Sequence, residues 1–190
     1  EMATSRLARR RQGSVPKEPP PPTVSESDGS PKSRHFNVDD LEMIKTIGTG
    51  TFARVYLCRH RSDKDYHALK ILAMSDVIRL KQVEHVKNEK SILKEVNHPF
   101  LVDLTWHGKD KNFLFMLFPY VSGGELFSYL RSAGRFNASS SLFYTAEIVS
   151  ALDYLHSLSI VYRDLKPANV LLDSAGYTVI VDFGFAKLIT

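Results

Sequence analysis

The chain has 190 residues, 43% of them hydrophobic, and a net charge of +4. That is enough apolar material for one sizeable core, while the mild positive charge suits a phosphate-bearing ligand as well as it suits nucleic acid. One cysteine, Cys58, excludes an internal disulfide framework and fits a reducing compartment, cytoplasm or nucleus. In chain order, the first block is residues 1–36. Its stretch "VPKEPPPPTVSESDGSPKSR" holds six of the nine prolines and few large apolar residues, so it reads as a disordered, basic and proline-rich tail with extended character near Pro19–Pro22. The basic start "SRLARRRQGS" runs into no apolar stretch and does not read as a secretory signal, and Glu1-Met2 suggests a piece cut from a longer product. The longest apolar run, "FLFMLFPYV", is too short to span a bilayer, so no membrane partner is expected.

From Phe36 the pattern becomes that of a folded domain. "LEMIKTIGTG" and "FARVYLCRHR" alternate as two strands of a hairpin around a glycine-rich turn, and "DYHALKILA" reads as a third strand. "VEHVKNEKSILKEV" sets Val83, Val86, Ile92 and Leu93 near one helical face. A turn at "HP" leads to two further strands, "FLVDLTWHG" and "NFLFMLFPYV". After "SGG" come two helices, "ELFSYLRSAG" and "SSSLFYTAEIVSALDYLHSL", the second with Ser139–Ser141 as its expected cap. "NVLLD", "AGYTVIV" and the final acid-glycine segment predict short strands and turns.

Gly48 and Gly50, between two strands, would let backbone amides approach a polyanion, although a glycine-bearing hairpin is often only a hairpin. No helix follows them, so they do not form a dinucleotide fingerprint, and no Gly-Lys-Ser/Thr makes them a P-loop. Lys70, in the apolar "HALKIL", is either an outward strand lysine or a buried cation needing a partner, which Glu89 in the next helix could supply. Asp164, Lys166 and Asn169 lie within one short loop stiffened by Pro167, so a carboxylate, an ammonium and an amide can converge. Asp182 follows the apolar "TVIV", where an unpaired carboxylate would be expensive and a bound cation a natural partner.

Taken together, Gly48-x-Gly50, Ala68-x-Lys70, Glu89, Tyr162-Arg163-Asp164, Lys166, Asn169 and Asp182-Phe183-Gly184 resemble the ordered motifs of a eukaryotic protein kinase. "RDLKPAN" is similar to the serine/threonine class. "DVIRLKQVEHVKNEKSILKEVNHPFL", "YVSGGELFSYLR" and "FGFAK" resemble the AGC group, in particular the cyclic-AMP-dependent catalytic subunits and their X-linked relatives. The resemblance covers residues 40–190 and implies an α+β, two-lobed fold. A complete β-rich small lobe with hinge would span 37–121, and 122–190 would be the first part of a truncated helical large lobe.

It further implies ATP and Mg2+ as cofactors and protein substrates carrying Ser or Thr in basic contexts, with a regulatory subunit as a further partner and no nucleic acid. By resemblance Asp164 is the catalytic base, Lys166 steadies the γ-phosphate, and Lys70 held by Glu89 contacts the α- and β-phosphates. Gly48 and Gly50 cover the phosphates. Ile47, Val55, Ala68 and Leu171 sandwich adenine, and the Pro119 and Val121 backbone forms the hinge. Asn169 and Asp182 hold magnesium, and Glu125 reads a substrate arginine. Leu93, Leu104, Tyr162 and Phe183 would stack as a column between the lobes, and Arg163 with His85 would grip an activation-loop phosphate. Departures from the pattern are Ala53 for the loop's third glycine, Phe118 as gatekeeper, Pro119 for an acidic hinge residue, and Ala168 for the glutamate of "KPEN". The activation segment and later helices are not in the 190 residues. The expectation is therefore a serine/threonine protein kinase, with the alternative that the 190 residues alone are a catalytically silent nucleotide-binding or interaction fragment of one.

Overall fold

In the computed structural model of the chain, the described residues are 36–51 and 53–189, all within one compact unit, Pro31–Thr190. The expected disorder of the tail and its polyproline stretch lie outside the described residues.

The first half builds a five-stranded antiparallel sheet in the order β1-β2-β3-β5-β4, from β1 (Leu41–Thr49), β2 (Ala53–His60), β3 (Tyr66–Ala73), β4 (Trp106–Lys109) and β5 (Phe113–Pro119). Successive strand side chains point to opposite faces, so this sheet feeds two clusters. Leu69 of β3 with Phe115 and Leu117 of β5 join Leu41 and Cys58 on one face, where Phe36 also packs. Phe36 thus belongs to the folded domain, its ring 5.4 Å from that of His60 and 5.6 Å from that of His67. On the other face Leu72 and Met116 enter the main core, and so, by alternation, do Ala68 and Lys70 point that way.

Two helices cover that second face. The short α1 (Met74–Arg79) continues directly from β3 and was not anticipated. Its six residues bury only Val77, too little periodicity to mark a helix in the sequence. Helix α2 (Val83–Glu95) buries Val86, Ile92 and Leu93 as expected, and Glu89 sits in the same stripe, 4% exposed. The strand expected from Phe100 begins only at Trp106. Before it, the chain turns through a Leu101 N–H bond to His98 O (3.0 Å) and forms a single parallel bridge from Leu101 to Ile180.

The second half is helical with small two-stranded sheets. Helices α3 (Leu126–Ala133) and α4 (Ala138–Ser157) are followed by β6 (Ile160–Val161), β7 (Val170–Leu172), β8 (Thr178–Ile180) and β9 (Lys187–Leu188); β6 pairs with β9 and β7 with β8. The cap of α4 is Asn137, whose side chain accepts the Ser140 amide at 2.7 Å, and not one of the serines. Asparagine just ahead of the first helical residue satisfies one of the free amides, so the serines become the first turn. Among the described residues no helix is long and apolar enough to cross a membrane.

Candidate active site

A cavity of about 600 Å³ opens between the five-stranded sheet and the helical half. Its roof is β1, β2 and β3, with Ile47, Gly48, Gly50, Val55 and Ala68; its back edge is Pro119 and Val121; its floor is Leu171, Asn169 and Asp182, with Glu125 at the rim. Lys70 and Glu89 close the inner end. Residues widely separated in sequence reach one space because β2 and β3 pair antiparallel, Val55 against Lys70 and Leu57 against Ala68. Gly48 and Gly50 adopt no positive φ, and a Cβ at Gly50 would meet nothing nearer than Ala53 O at 3.6 Å. The free loop therefore does not demand glycine, and what glycine leaves at both positions is bare backbone facing the cavity.

The polar end is organised around Lys70. Its Nζ donates to Glu89 Oε1 at 2.6 Å, with the two side chains 16% and 5% exposed, and stands 3.7 Å from Asp182 Oδ1. The outward-lysine alternative is excluded by the strand alternation that puts Lys70 on the Leu72 face. Glu89 arrives at the middle of the α2 stripe, three residues after Val86 and three before Ile92, so the helix period aims it at the sheet.

Asp182 departs from the burial expected of it: its side chain is 51% exposed. The apolar run that precedes it ends at Val181. The backbone then takes a left-handed φ of 61° at Asp182, which turns the carboxylate out of the strand into the cavity. A nearby carboxylate that is open on one side and faced by one ammonium is a suitable donor for a divalent cation. Asn169 is 7% exposed and closes the other side. Its O accepts the Val181 amide at 2.9 Å, and its Nδ2 donates to Asp164 O at 3.0 Å and Asp164 Oδ2 at 2.7 Å.

Asp164 and Lys166 lie just beyond the cavity lining, on the loop after β6. Lys166 Nζ donates to Asp164 Oδ2 at 2.9 Å. That bond is the largest influence and holds the Asp164 carboxyl below its usual pKa; burial opposes it, and the Asn169 bond adds a smaller lowering. Arg163 also has a left-handed φ, 66°, and its Nε donates to Phe185 O at 2.7 Å, while His85 Nδ1 lies 2.7 Å from Gln82 Oε1. Behind the polar groups Leu93, Tyr162 and Phe183 are buried in the main core, against which Leu104 packs; Tyr162 and Phe183 meet edge to face at 5.4 Å. Tyr162 Oη donates to Val181 O, a tie between loop and floor that the sequence did not announce.

Gly123 carries a second unannounced constraint. A Cβ there would run into Leu172 O and come within 2.7 Å of Asp173 O, both backbone. Only glycine lets the segment after Val121 lie against β7, where Gly123 N–H bonds Leu172 O and Leu172 N–H bonds Gly124 O, each at 2.8 Å. This contact sets Leu171 opposite Glu125.

Comparison with known proteins gives a consistent result. Residues 41–190 match the family described as Protein kinase domain. The chain is 62% identical over 154 residues to cAMP-dependent protein kinase catalytic subunit 3 of Drosophila melanogaster, covering 81% of this chain and 26% of that protein. It is 56% identical over 158 residues to cAMP-dependent protein kinase catalytic subunit PRKX of Homo sapiens (83% and 44%), and 54% identical over 174 residues to its Mus musculus counterpart (92% and 48%). The chain thus spans less than half the length of these relatives.

Proposed function

This chain belongs to the protein kinase domain family, and on that premise we propose that it is the nucleotide-binding and catalytic-loop part of an ATP-dependent serine/threonine kinase. The observation that carries the reading is the convergence of the Lys70–Glu89 pair with Asp182 and Asn169 at one end of a cavity whose other end is apolar. In this reading Ile47, Val55, Ala68 and Leu171 hold adenine. The Pro119 carbonyl, which proline retains, and the Val121 backbone face its edge. Gly48 and Gly50 present bare backbone to the phosphates. Lys70, kept in place by Glu89, meets the α- and β-phosphates as a fixed positive charge.

Asp182 and Asn169 would hold Mg2+, which would supply charge neutralisation for the phosphates. Asp164, held ionised by Lys166, accepts the proton of a substrate hydroxyl. The hydroxyl oxygen forms its bond to the γ-phosphorus as the bond from that phosphorus to the ADP oxygen breaks. Lys166 steadies the transferred group. Most of the catalysis in such a reaction is positioning, which is what the ties among Tyr162, Val181, Asn169 and Asp164 provide.

The finer assignments rest on single positions. Glu125, exposed at the start of α3 and making no capping bond of its own, is free to pair bidentately with an arginine three residues before the phosphorylated hydroxyl. Ala168, exposed on the loop, offers no carboxylate to an arginine two residues before it. The substrate preference is thus Arg-x-x-Ser/Thr with a relaxed demand at minus two. The relatives' names extend the proposal to a cyclic-AMP-linked regulatory subunit, and the single, buried Cys58 to a cytoplasmic or nuclear setting.

The test is a thermal titration of the folded chain with ATP, with and without Mg2+. Saturation a hundredfold above the dissociation constant should add about 2.7 kcal/mol of stability, and Asp182→Ala should remove the Mg2+-dependent part. No shift on adding Mg-ATP would defeat the reading. A peptide array with the longest natural product carrying this sequence should show strong arginine selection at minus three and weak selection at minus two. Equal selection at both positions would defeat the finer assignment.

A further inference from the structure

Helix α4 buries a carboxyl group that none of the steps above uses. Glu147 is 4% exposed and shares the buried face of α4 with Ala151 and Leu155. Its Oε2 accepts the amide of Thr178 at 2.8 Å in fully buried surroundings. Thr178 is the first residue of β8 and is itself 0% exposed. The two residues are 31 apart in sequence, so the bond joins a helix to a distant strand and is not a local cap.

What β8 leads to gives the bond its significance. The strand runs from Thr178 to Ile180 and continues through Val181 directly into Asp182. One edge of β8 is paired with β7; on the other, the Ile180 amide bonds Phe100 O at 2.8 Å and the Val102 amide bonds Ile180 O at 3.0 Å. Those ladders fix β8 sideways. Glu147 grips its far end, so a shift of the strand along its own direction, which would change how far Asp182 reaches into the cavity, must first break a buried bond between α4 and the Thr178 amide.

The same carboxyl group leaves Oε1 buried without a hydrogen-bond partner, and the Thr178 hydroxyl is likewise buried and unpartnered. Burial pushes the Glu147 pKa up, the bond from the Thr178 amide opposes it, and the Asp173 carboxylate adds to the rise; Tyr144 on α4 is a further ionisable group near it. Oε2 can accept the Thr178 amide whether or not the carboxyl is charged, so the clamp is the bond itself and does not need the charge.

We propose that Glu147 is a positioning residue for Asp182: from α4 its side chain holds the start of β8 and thereby sets the place at which the Asp182 carboxylate meets Mg2+. The inference rests on the reading of Asp182 as a magnesium ligand, and the experiment separates the two. Binding of a fluorescent ATP analogue is followed as free Mg2+ is raised, for the unaltered protein, Asp182→Asn, Glu147→Ala, Glu147→Met and Glu147→Gln, with melting temperature recorded for each.

Asp182→Asn tests the ligand assignment alone; if it leaves the Mg2+ dependence intact, the reading of the site fails. Given that it does not, Glu147→Ala should raise the Mg2+ midpoint by about tenfold while Mg2+-free nucleotide binding stays unchanged. Glu147→Gln, which keeps a neutral acceptor, should restore the normal midpoint. Glu147→Met fills the space without accepting the bond and carries the test if the alanine variant does not fold. A variant that merely loses stability would melt lower at an unchanged midpoint, and that result overturns the proposal. In the unaltered protein, adding Mg2+ to the ATP-bound state should slow hydrogen exchange of the Thr178 amide, and an unchanged exchange rate there overturns it equally.

Discussion

Replacing Glu89 with glutamine tests the site where its geometry is tightest. The substitution keeps shape and hydrogen-bonding capacity but removes the charge that faces Lys70 across 2.6 Å, with side chains only 5% and 16% exposed. Removing one partner of a buried pair leaves the other charge uncompensated, a loss of about 3–5 kcal/mol in full burial. Here Asp182 stands 3.7 Å from the same ammonium and Lys70 is not wholly buried, so the amide oxygen and Asp182 recover part of that loss. The remaining cost is about 2 kcal/mol, which for a domain of this size lowers the melting temperature by roughly 4–8 °C. The released ammonium moves toward Asp182 and competes with a cation there, so the Mg2+-dependent stabilisation by ATP should fall as well. Differential scanning fluorimetry of Glu89→Gln and Glu89→Asp, each with no ligand, ATP, and Mg-ATP, reads both effects. An unaltered melting temperature together with an unaltered Mg-ATP shift would mean that the Lys70–Glu89 contact does not organise the site.

The Asp164 carboxyl is held below its ordinary pKa by Lys166, so on the proposed role of Asp164 the acid limb of the activity profile of the longest natural product carrying this sequence should lie below the usual carboxylate range. Lys166→Met should move that limb to higher pH, as seen in kcat/KM against pH for a peptide substrate. Gly123→Ala forces a Cβ against the Leu172 and Asp173 carbonyls and should destabilise by about 1–3 kcal/mol, with weaker nucleotide binding because Leu171 and Val121 are displaced; thermal melts and an ATP titration check both. For Glu147 the folded-state pKa is raised. The native state therefore binds more protons than the unfolded chain above the ordinary carboxylate range, and stability falls as pH rises through the folded pKa. Glu147→Gln should flatten that slope in urea melts taken at increasing pH.

The parts legible in the sequence are those set by local period or by residue chemistry. Alternation in "HALKIL" placed β3 and marked Lys70 as either outward or paired, and the stripe through Val86 and Ile92 placed α2. What stayed hidden arises from contacts between distant segments. No local signal in "TAEIVSALD" distinguishes a surface glutamate from one that grips a strand 31 residues away, and none in "MSDVIR" outweighs the strand that runs into it. The burial of Asp182 was misjudged for a related reason. The apolar run before it is real, but a side chain's exposure depends on the backbone angle at its own residue. At Asp182 and Arg163 that angle is left-handed, a conformation that costs about 1–3 kcal/mol for a residue with a Cβ and persists only where its surroundings hold it. The surroundings here are specific: Arg163 is held through Phe185 O, Val181 through Tyr162 and Asn169, and Phe183 inside the main core on the far side of Asp182. Strain at these two positions is thus maintained by the same bonds that bring the loop of Asp164 against the strand of Asp182. Relaxing either backbone would separate the Asp164 carboxylate from the Asp182 carboxylate.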